Sequence, residues 1–336
     1  MTYFHEQIEM VVRATEILSP TSYAWFGQAS PSLPRHVKQS MTPNTARDYL
    51  DYSLQNRLYE DFYCQGFPTP ADKASRPYFA LGTTPFVQAL SSANTGGGCR
   101  ESGWEIVAVD AAVVRVRKNG LEVWAQKTDC VVAPDTPIEA GAQISLCLPK
   151  ELLNMSPGFY MALGNHELPH AETAIVRLYW HLTPEVAVAF VRAATSRLNE
   201  AGIPFRLKVL RDPLLYRRCD AGVIYVLNSD YPPVSEIVAG IHVKVAEGLR
   251  SSIPAFVLPL APGLGLAEDP GDLQSFGEHR CRLLARALIT AYESGAHSVQ
   301  ERTQEVIARL VEAGINPEAP FLNPGSTNSY SFGKAP

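Results

Sequence analysis

The sequence predicts an α+β domain, with strands interleaved with helices from about residue 104 onward, behind a small helical N-terminal region. Three patterns carry this expectation. Residues 46–63 place Leu50, Leu54, Leu58 and Phe62 at every fourth position, the spacing of one buried helix face. From Trp104 the period shortens to that of strands, with Asn119-Gly120 as a hairpin turn. Helical stripes then return between strand-like runs.

At the N-terminus Ile8, Val11, Val12, Ile17 and Leu18 recur at roughly helical spacing over residues 5–18. Gly66 is placed to stop the second helix, and most of 66–78 reads as loop, like the proline-rich and polar stretch between the two helices. Trp104–Val109 is strand-like, and the turn joins Val113–Arg117 to Leu121–Ala125. Further strands are predicted at Ile144–Leu148, Phe159–Leu163 and Ile175–Leu182. Thr183 is positioned to cap a helix with Pro184 at its first position; Ala187, Phe190, Val191, Ala194 and Leu198 form its buried stripe and Gly202 its end. Strands at Phe205–Val209 and Val223–Leu227, a helix near 233–249 and a strand at Ala255–Leu260 follow. Helices near 276–294 and 299–313 close the fold, the second opened by the capping box Ser298-x-x-Glu301. The expected division is a helical region 1–103, an α+β domain 104–315 and a polar, flexible tail 316–336.

Composition narrows the function. The 336 residues carry a net charge of only −5, which gives no global basic footprint for nucleic acid. No apolar run is long enough for a spanning helix, and the N-terminus, acidic by Glu6, does not read as a signal peptide, so no membrane partner and a cytoplasmic location are expected. Six cysteines (Cys64, Cys99, Cys130, Cys147, Cys219, Cys281) are scattered without a CxxC pair, which fits reduced, structural thiols and no zinc.

Two strands carry charge. In Ile175–Leu182 the alternation puts Arg177, Tyr179 and His181 on one face; in Phe205–Val209 it does the same for Arg206 and Lys208. A solvated strand face would look similar. Arg217 and Arg218 add to it, because they lie just before the apolar and therefore central strand Val223–Leu227. Grouped arginines with a lysine, a tyrosine and a histidine suit an anionic substrate, since the planar guanidinium fork binds phosphate in bidentate fashion. Burial beside guanidinium groups can turn a lysine into a base, a combination that fits removal of an α proton beside a bound phosphate. The glycine-rich run 92–99 lacks the Lys-Ser/Thr of a phosphate-binding loop and precedes a strand, so a tight turn or a peptide-facing loop is expected. Cys99 and Cys219 have no base nearby in sequence, and Asn165-His166-Glu167 with His170 reads as solvated loop before metal site.

Several segments together resemble the HopA family of type III secreted effectors and the HopA-like lyase components of class V lanthipeptide and thioamitide pathways. These are LYEDFYCQG at 58–66, LSSANTGGGCRESGW at 90–104, FYMALG at 159–164, RLYW at 177–180, IPFRLK at 203–208, YRRCDAGVIY at 216–225, and APGLGLAE at 261–268 through SFGEHR at 275–280. The family in turn is similar to phosphothreonine lyases, which implies an α+β fold with a mixed sheet flanked by helices and no cofactor or metal. By position the resemblance implies Lys208 as general base, Arg218 (or Arg217) and Arg280 as phosphate ligands, Arg177 on the strand that bears the acid, and Tyr225 lining the site; Arg206 joins the phosphate-binding candidates. Where a lyase has Lys-x-His, this chain has Arg177-x-Tyr179, with His181 two residues further. Tyr179 and His181 therefore compete for the role of acid, and the spacing favours Tyr179.

The activity so implied is elimination of phosphate from phosphoserine or phosphothreonine of a ribosomally made precursor peptide, giving dehydroalanine or dehydrobutyrine. A separate kinase and a cyclase are the expected partners. The alternatives are a secreted effector acting on phosphorylated host proteins and a non-catalytic peptide-binding scaffold partnering a kinase. Against the scaffold stands Lys208, which a binding module does not need; against the effector stands the helix beginning near His5, where a serine-rich secretion signal is expected.

Overall fold

Helix α1 (Tyr3–Ala14) buries Phe4, Ile8, Val11 and Val12 on one face. A computed structural model describes residues 3–66, 84–133, 137–153, 156–169, 174–271 and 274–333. The first helix stops four residues short of its expected end. Thr15–Ser19 (β1) pairs instead with β2 (Ser22–Trp25), and β2 with β3 (Gln28–Ala29). Thr15 and Ile17 are β-branched and suit a pleated strand, and Phe26-Gly27, both at positive φ, make the two-residue turn that pairing needs. A short helix α2 (Arg35–Ser40) leads to α3 (Pro43–Leu58), where the Thr42 hydroxyl accepts from Thr45 N and Ala46, Leu50, Leu54 and Leu58 face the core. A π turn at Tyr59–Tyr63 follows and buries Phe62 and Tyr63.

After α4 (Pro85–Ala93) comes a small antiparallel sheet: β4 (Cys99–Val109), β5 (Val113–Lys118), β6 (Leu121–Gln126), β7 (Cys130–Val131) and β8 (Gln143–Leu148), in the order β6-β5-β4-β8-β7. It has its own core of Trp104, Ile106, Val114, Val116, Ile144 and Leu146. The expected hairpin is present, with Asn119 and Gly120 at φ of 49° and 79°.

The main sheet has seven strands: β9 (Glu151–Leu152), β10 (Phe159–Leu163), β11 (Ile175–Trp180), β12 (Phe205–Leu210), β13 (Gly222–Leu227), β14 (Leu258–Ala261) and β15 (Leu264–Glu268). Their order is β14-β15-β11-β13-β12-β10-β9. The α+β class is as predicted, with open sheets flanked by helices, but every ladder of this sheet is antiparallel rather than mixed. The predicted strand at 255–260 begins only at Leu258, after Phe256 at positive φ. The hairpin return Leu264–Glu268, hidden among glycines in the sequence, is wholly buried.

One face of the sheet is apolar. Leu178, Trp180, Leu207, Val209, Ile224 and Val226 are all buried, and the Trp180 ring lies 4.9 Å from that of Phe190 on α5 (Pro184–Glu200). Thr183 precedes α5 at the capping position without a side-chain capping bond. Helix α6 (Tyr231–Val245) packs against α5. Each fully buried Leu, Val or Phe here contributes roughly 1.5–3 kcal/mol.

Helix α7 (Phe276–Glu293), opened by a Ser275/Glu278 capping box, packs on α3 and on α8 (Val299–Glu312). Gly277 lets it approach the π turn, because a Cβ there would sit 2.3 Å from the Tyr63 ring. The expected Ser298/Glu301 box opens α8.

The segment after α8 is not a free tail. Phe321, Leu322 and Tyr330 enter the main core. Buried Glu268 accepts from the Tyr330 hydroxyl and from Asn323 N, both at 2.7 Å. Three large apolar side chains and the buried Glu268 and Arg280, which need partners, outweigh the polar character of the stretch.

Candidate active site

The antiparallel register decides what the polar face of the main sheet brings together. Arg177 pairs with Tyr225 and Tyr225 with Arg206; one step along, Tyr179 pairs with Val223 and Val223 with Lys208. Directly paired residues share a face, so Arg177, Tyr179, Tyr225, Arg206 and Lys208 form two adjacent rows on the side opposite α5. The shared face expected for each strand is therefore one surface across three strands.

Aromatic rings space the cations. Lys208 Nζ stands 4.6 Å from the centre of the Phe159 ring and 5.6 Å from that of Tyr225. The Arg177 guanidinium lies 5.2 Å from Tyr225, and Arg218 lies 5.9 Å from Phe159 and 5.7 Å from Tyr59. Ring faces attract cations at these separations. Lys208 and Tyr225 are half-buried, whereas Arg177 is 7% exposed.

Both arginines carry a carboxylate. Arg218 Nε and Nη2 donate to the two Asp220 oxygens at 2.8 and 2.7 Å, a bidentate fork, and Nη2 also donates to the Tyr59 hydroxyl at 3.2 Å. Arg177 Nε and Nη2 both reach Asp269 Oδ2, at 2.7 and 2.6 Å, and Nη2 donates to the Gln274 carbonyl. Burial alone would raise the Asp220 pKa; the Arg218 guanidinium, with Lys208 further off, outweighs it and holds the carboxyl below the usual aspartate range. Among the described residues Lys208 makes no ion pair.

The remaining candidates divide. Arg206 sits beside Tyr225 but toward the small sheet; burial lowers its pKa, and the carboxylate of Glu101 opposes that shift. Glu101 and Glu167 share Lys118 at 3.2 and 3.0 Å, and Glu101 accepts from Trp104 Nε1, which joins the small sheet to the edge of the main one. Arg217 is exposed, and Arg218 is the one that stands over Phe159. Arg280 departs furthest from expectation: at 1% exposure it donates from Nε to the Pro320 carbonyl and from Nη2 to the Leu322 carbonyl, both at 2.8 Å, and stacks on Phe276. It ties down the C-terminal segment.

The two acid candidates have different partners. Tyr179 is buried on the same face as Lys208, its ring edge-on to Tyr63 and near Phe276. Burial raises its pKa, and its hydroxyl finds no hydrogen-bond partner of good geometry among the described residues. His181 lies beyond the end of β11, with Nδ1 3.0 Å from both the carbonyl and the hydroxyl of Ser252. The bond from its N–H to the Gly263 carbonyl and that from Arg250 N to its carbonyl tie its backbone to other segments, while its ring stays within electrostatic reach of Asp220. Burial pulls its pKa below the ordinary histidine value.

Phe159, Tyr59, Asp220 and Asp269 were not singled out from sequence as parts of this face. The spacing Arg218-x-Asp220 just before a buried strand is the signal that points to Asp220. The glycine-rich run makes a loop, with Gly96 N bonded to Asn94 Oδ1 and Gly97 N to Asn165 Oδ1, leading into β4. Burial pushes the Cys219 thiol up to about 12 and raises that of Cys99, which disfavours the thiolate in both. Among the described residues no group of three His, Cys, Asp or Glu is arranged to hold a metal ion, and His170 lies outside them. No described helix is long and apolar enough to cross a membrane.

Together these features describe an α+β protein with a cation-lined sheet face. Residues 151–322, just over half of the chain, match the HopA1 effector protein family, and the chain belongs to that family. Among solved structures, the effector protein from Pseudomonas syringae pv. tomato strain DC3000 aligns at 21% identity over 51% of this chain and 66% of that one, with a TM-score of 0.40. The effector protein from Pseudomonas syringae pv. syringae strain 61 aligns at 12% identity over 95% of this chain and 96% of that one, with a TM-score of 0.47. No curated protein matches the chain.

Proposed function

We propose that the chain is a phosphoserine/phosphothreonine lyase whose reaction takes place on the polar face of the main sheet. The observation that carries this reading is the convergence of Lys208, Arg177 and Arg218 around Tyr225 and Phe159. Arg218 and Arg177 hold the phosphoryl group of the substrate. Lys208 Nζ, as the free amine, takes the α proton; the electron pair left behind forms the Cα–Cβ double bond, the Cβ–O bond breaks, and the phosphate departs with that oxygen. Tyr179 gives a proton to the departing oxygen; its position on the Lys208 face and the bonds of His181 Nδ1 to Ser252 support this assignment. Charge on the leaving group is balanced by cations, so base, acid and guanidinium groups suffice for the chemistry.

Membership of an effector family supports a phosphorylated host protein as the substrate better than it supports a ribosomally made precursor peptide. The reaction is the same for either, and the products are dehydroalanine or dehydrobutyrine and inorganic phosphate. A kinase must supply the phosphate ester in both cases; a cyclase consumes the alkene only in the second.

The test is mass spectrometry of phosphoserine and phosphothreonine peptides incubated with the protein, where elimination appears as loss of phosphoric acid. Lys208→Arg keeps the positive charge but stays protonated, so elimination should fall by about 10²–10⁴-fold while phosphopeptide binding survives. Arg218→Ala should weaken both. Elimination by Lys208→Arg at the wild-type rate removes Lys208 as the base and the mechanism with it.

A further inference from the structure

Arg177 and Arg218 each arrive on this face with a carboxylate. The Arg218 fork, the geometry in which a guanidinium grips phosphate, is occupied by Asp220 at 2.8 and 2.7 Å, and Arg177 is held by Asp269 at 2.7 and 2.6 Å. Neither carboxylate is a solvated surface group. The Asp220 side chain is 6% exposed and that of Asp269 19%. Both are fixed at the start or end of a central strand: Asp220 directly precedes Ala221 and β13, and Asp269 follows β15, with its Oδ1 accepting from Gly271 N. Arg177, Arg218 and Lys208 thus stand around Phe159 and Tyr225 with two fixed anions among them, and Arg206 is a further cation toward the small sheet.

We propose that Asp220 and Asp269 are internal counter-anions that hold down the affinity of this face for inorganic phosphate, so that phosphate released at the site leaves it. The inference rests on the lyase reading for the source of the phosphate, and on the two ion pairs for the affinity. A phosphate approaching Arg218 must either displace Asp220 from the fork or share the guanidinium with a carboxylate a few ångströms away. Either way it binds more weakly than to a bare arginine. The substrate peptide compensates with contacts along the rest of its chain; free phosphate has none. That difference matters for elimination in particular, because the leaving group is the same phosphoryl oxygen cluster that anchors the substrate. A clamp strong enough to hold the ester by its phosphate alone would retain the product. The carboxylates also allow the arginines to be buried at all, since a desolvated guanidinium without an anion is costly.

The experiment is calorimetric titration of inorganic phosphate into the full-length protein and into Asp220→Asn and Asp269→Asn. Asparagine keeps the size and one acceptor oxygen of each side chain and removes only the charge. Removing one anion within a few ångströms of the bound phosphate should tighten phosphate binding by about tenfold in each variant. The sign is the discriminating feature, because a merely structural lesion loosens binding. Thermal melting establishes that the variants are folded, and Asp269→Asn, at the more exposed position, supplies the test if Asp220→Asn does not fold. Unchanged or weaker phosphate binding in the folded variants overturns the proposal. Tighter binding by variants of a protein that eliminates nothing upholds it and sinks the lyase reading; elimination without the tightening sinks this proposal alone.

Discussion

Replacing Arg280 with alanine separates a structural anchor from a phosphate ligand. In the fold its guanidinium bridges the carbonyls of Pro320 and Leu322 at 2.8 Å each and lies 4.7 Å from the Phe276 ring, at 1% exposure. A hydrogen bond from a charged donor is worth about 1.5–3 kcal/mol, and the ring contact about 1–2 kcal/mol when desolvated. The losses do not add, because water can enter the cavity and reach the carbonyls. A destabilisation of about 3–5 kcal/mol is therefore expected, the range for breaking a buried charged contact. Arg280→Lys should recover only part of it, because one ammonium cannot span two carbonyls as the planar fork does. Urea unfolding followed by fluorescence gives the stability, and titration with a phosphopeptide below the unfolding midpoint gives the affinity. The folded fraction of Arg280→Ala should bind the phosphopeptide within about twofold of the wild type, less than 0.5 kcal/mol. A loss of stability below about 1 kcal/mol, combined with loss of phosphopeptide binding, would return Arg280 to the phosphate site and refute its role as the C-terminal anchor.

Two further outcomes follow from the same face. Tyr179→Phe should slow elimination more than His181→Asn, since Tyr179 shares the Lys208 face and His181 bonds Ser252; single-turnover rates with folded variants check the ranking, and the reverse order moves the acid role to His181. His181 also makes stability depend on pH. Its folded pKa lies below the unfolded value of about 6.5, so the unfolded chain takes up the proton first as pH falls. The stability due to its neutral form is complete above about pH 6.5 and is lost as pH drops through the folded value, whereas Asp220 and Glu167 lose theirs only below about pH 4. Melting temperatures at pH 7.5, 6.0 and 5.0 should fall accordingly, and His181→Gln should flatten the decline; an unaltered slope in that variant would place the titrating group elsewhere.

How much of this was legible in the sequence depends on what each inference needed. Alternation in single strands put Arg177 with Tyr179 and Arg206 with Lys208, and the hairpin at Asn119-Gly120 and the α5 stripe were readable for the same reason: local periodicity and turn chemistry act within a few residues. Register is not local. That Lys208 faces Val223, and through it Tyr179, depends on pairing across about 30 residues of intervening chain. The hairpin strand Leu264–Glu268 was missed because Gly263 and Gly265 look like turn residues, although Gly265 is there to admit Val257, 2.5 Å from where its Cβ would be. The C-terminal segment was misjudged because Phe321, Leu322 and Tyr330 are too sparse to form a period, and their burial follows from partners such as Glu268 that lie some 50 residues away.

Identifying cations in a sequence is easier than identifying which of them the fold leaves unsatisfied. Arginine cannot shed its charge, so a buried arginine needs anions or carbonyl acceptors; Arg177 and Arg218 have carboxylates, Arg280 has carbonyls. The matched pairs fix the position of positive charge without leaving it unopposed. A lysine can be placed differently. Lys208 rests on the faces of Phe159 and Tyr225, contacts that attract its charge without binding its hydrogens in a fork. The asymmetry between two paired arginines and a lysine held by rings is therefore what turns a patch of like charge into a candidate for elimination chemistry, and it is a property of the partners rather than of the cations themselves.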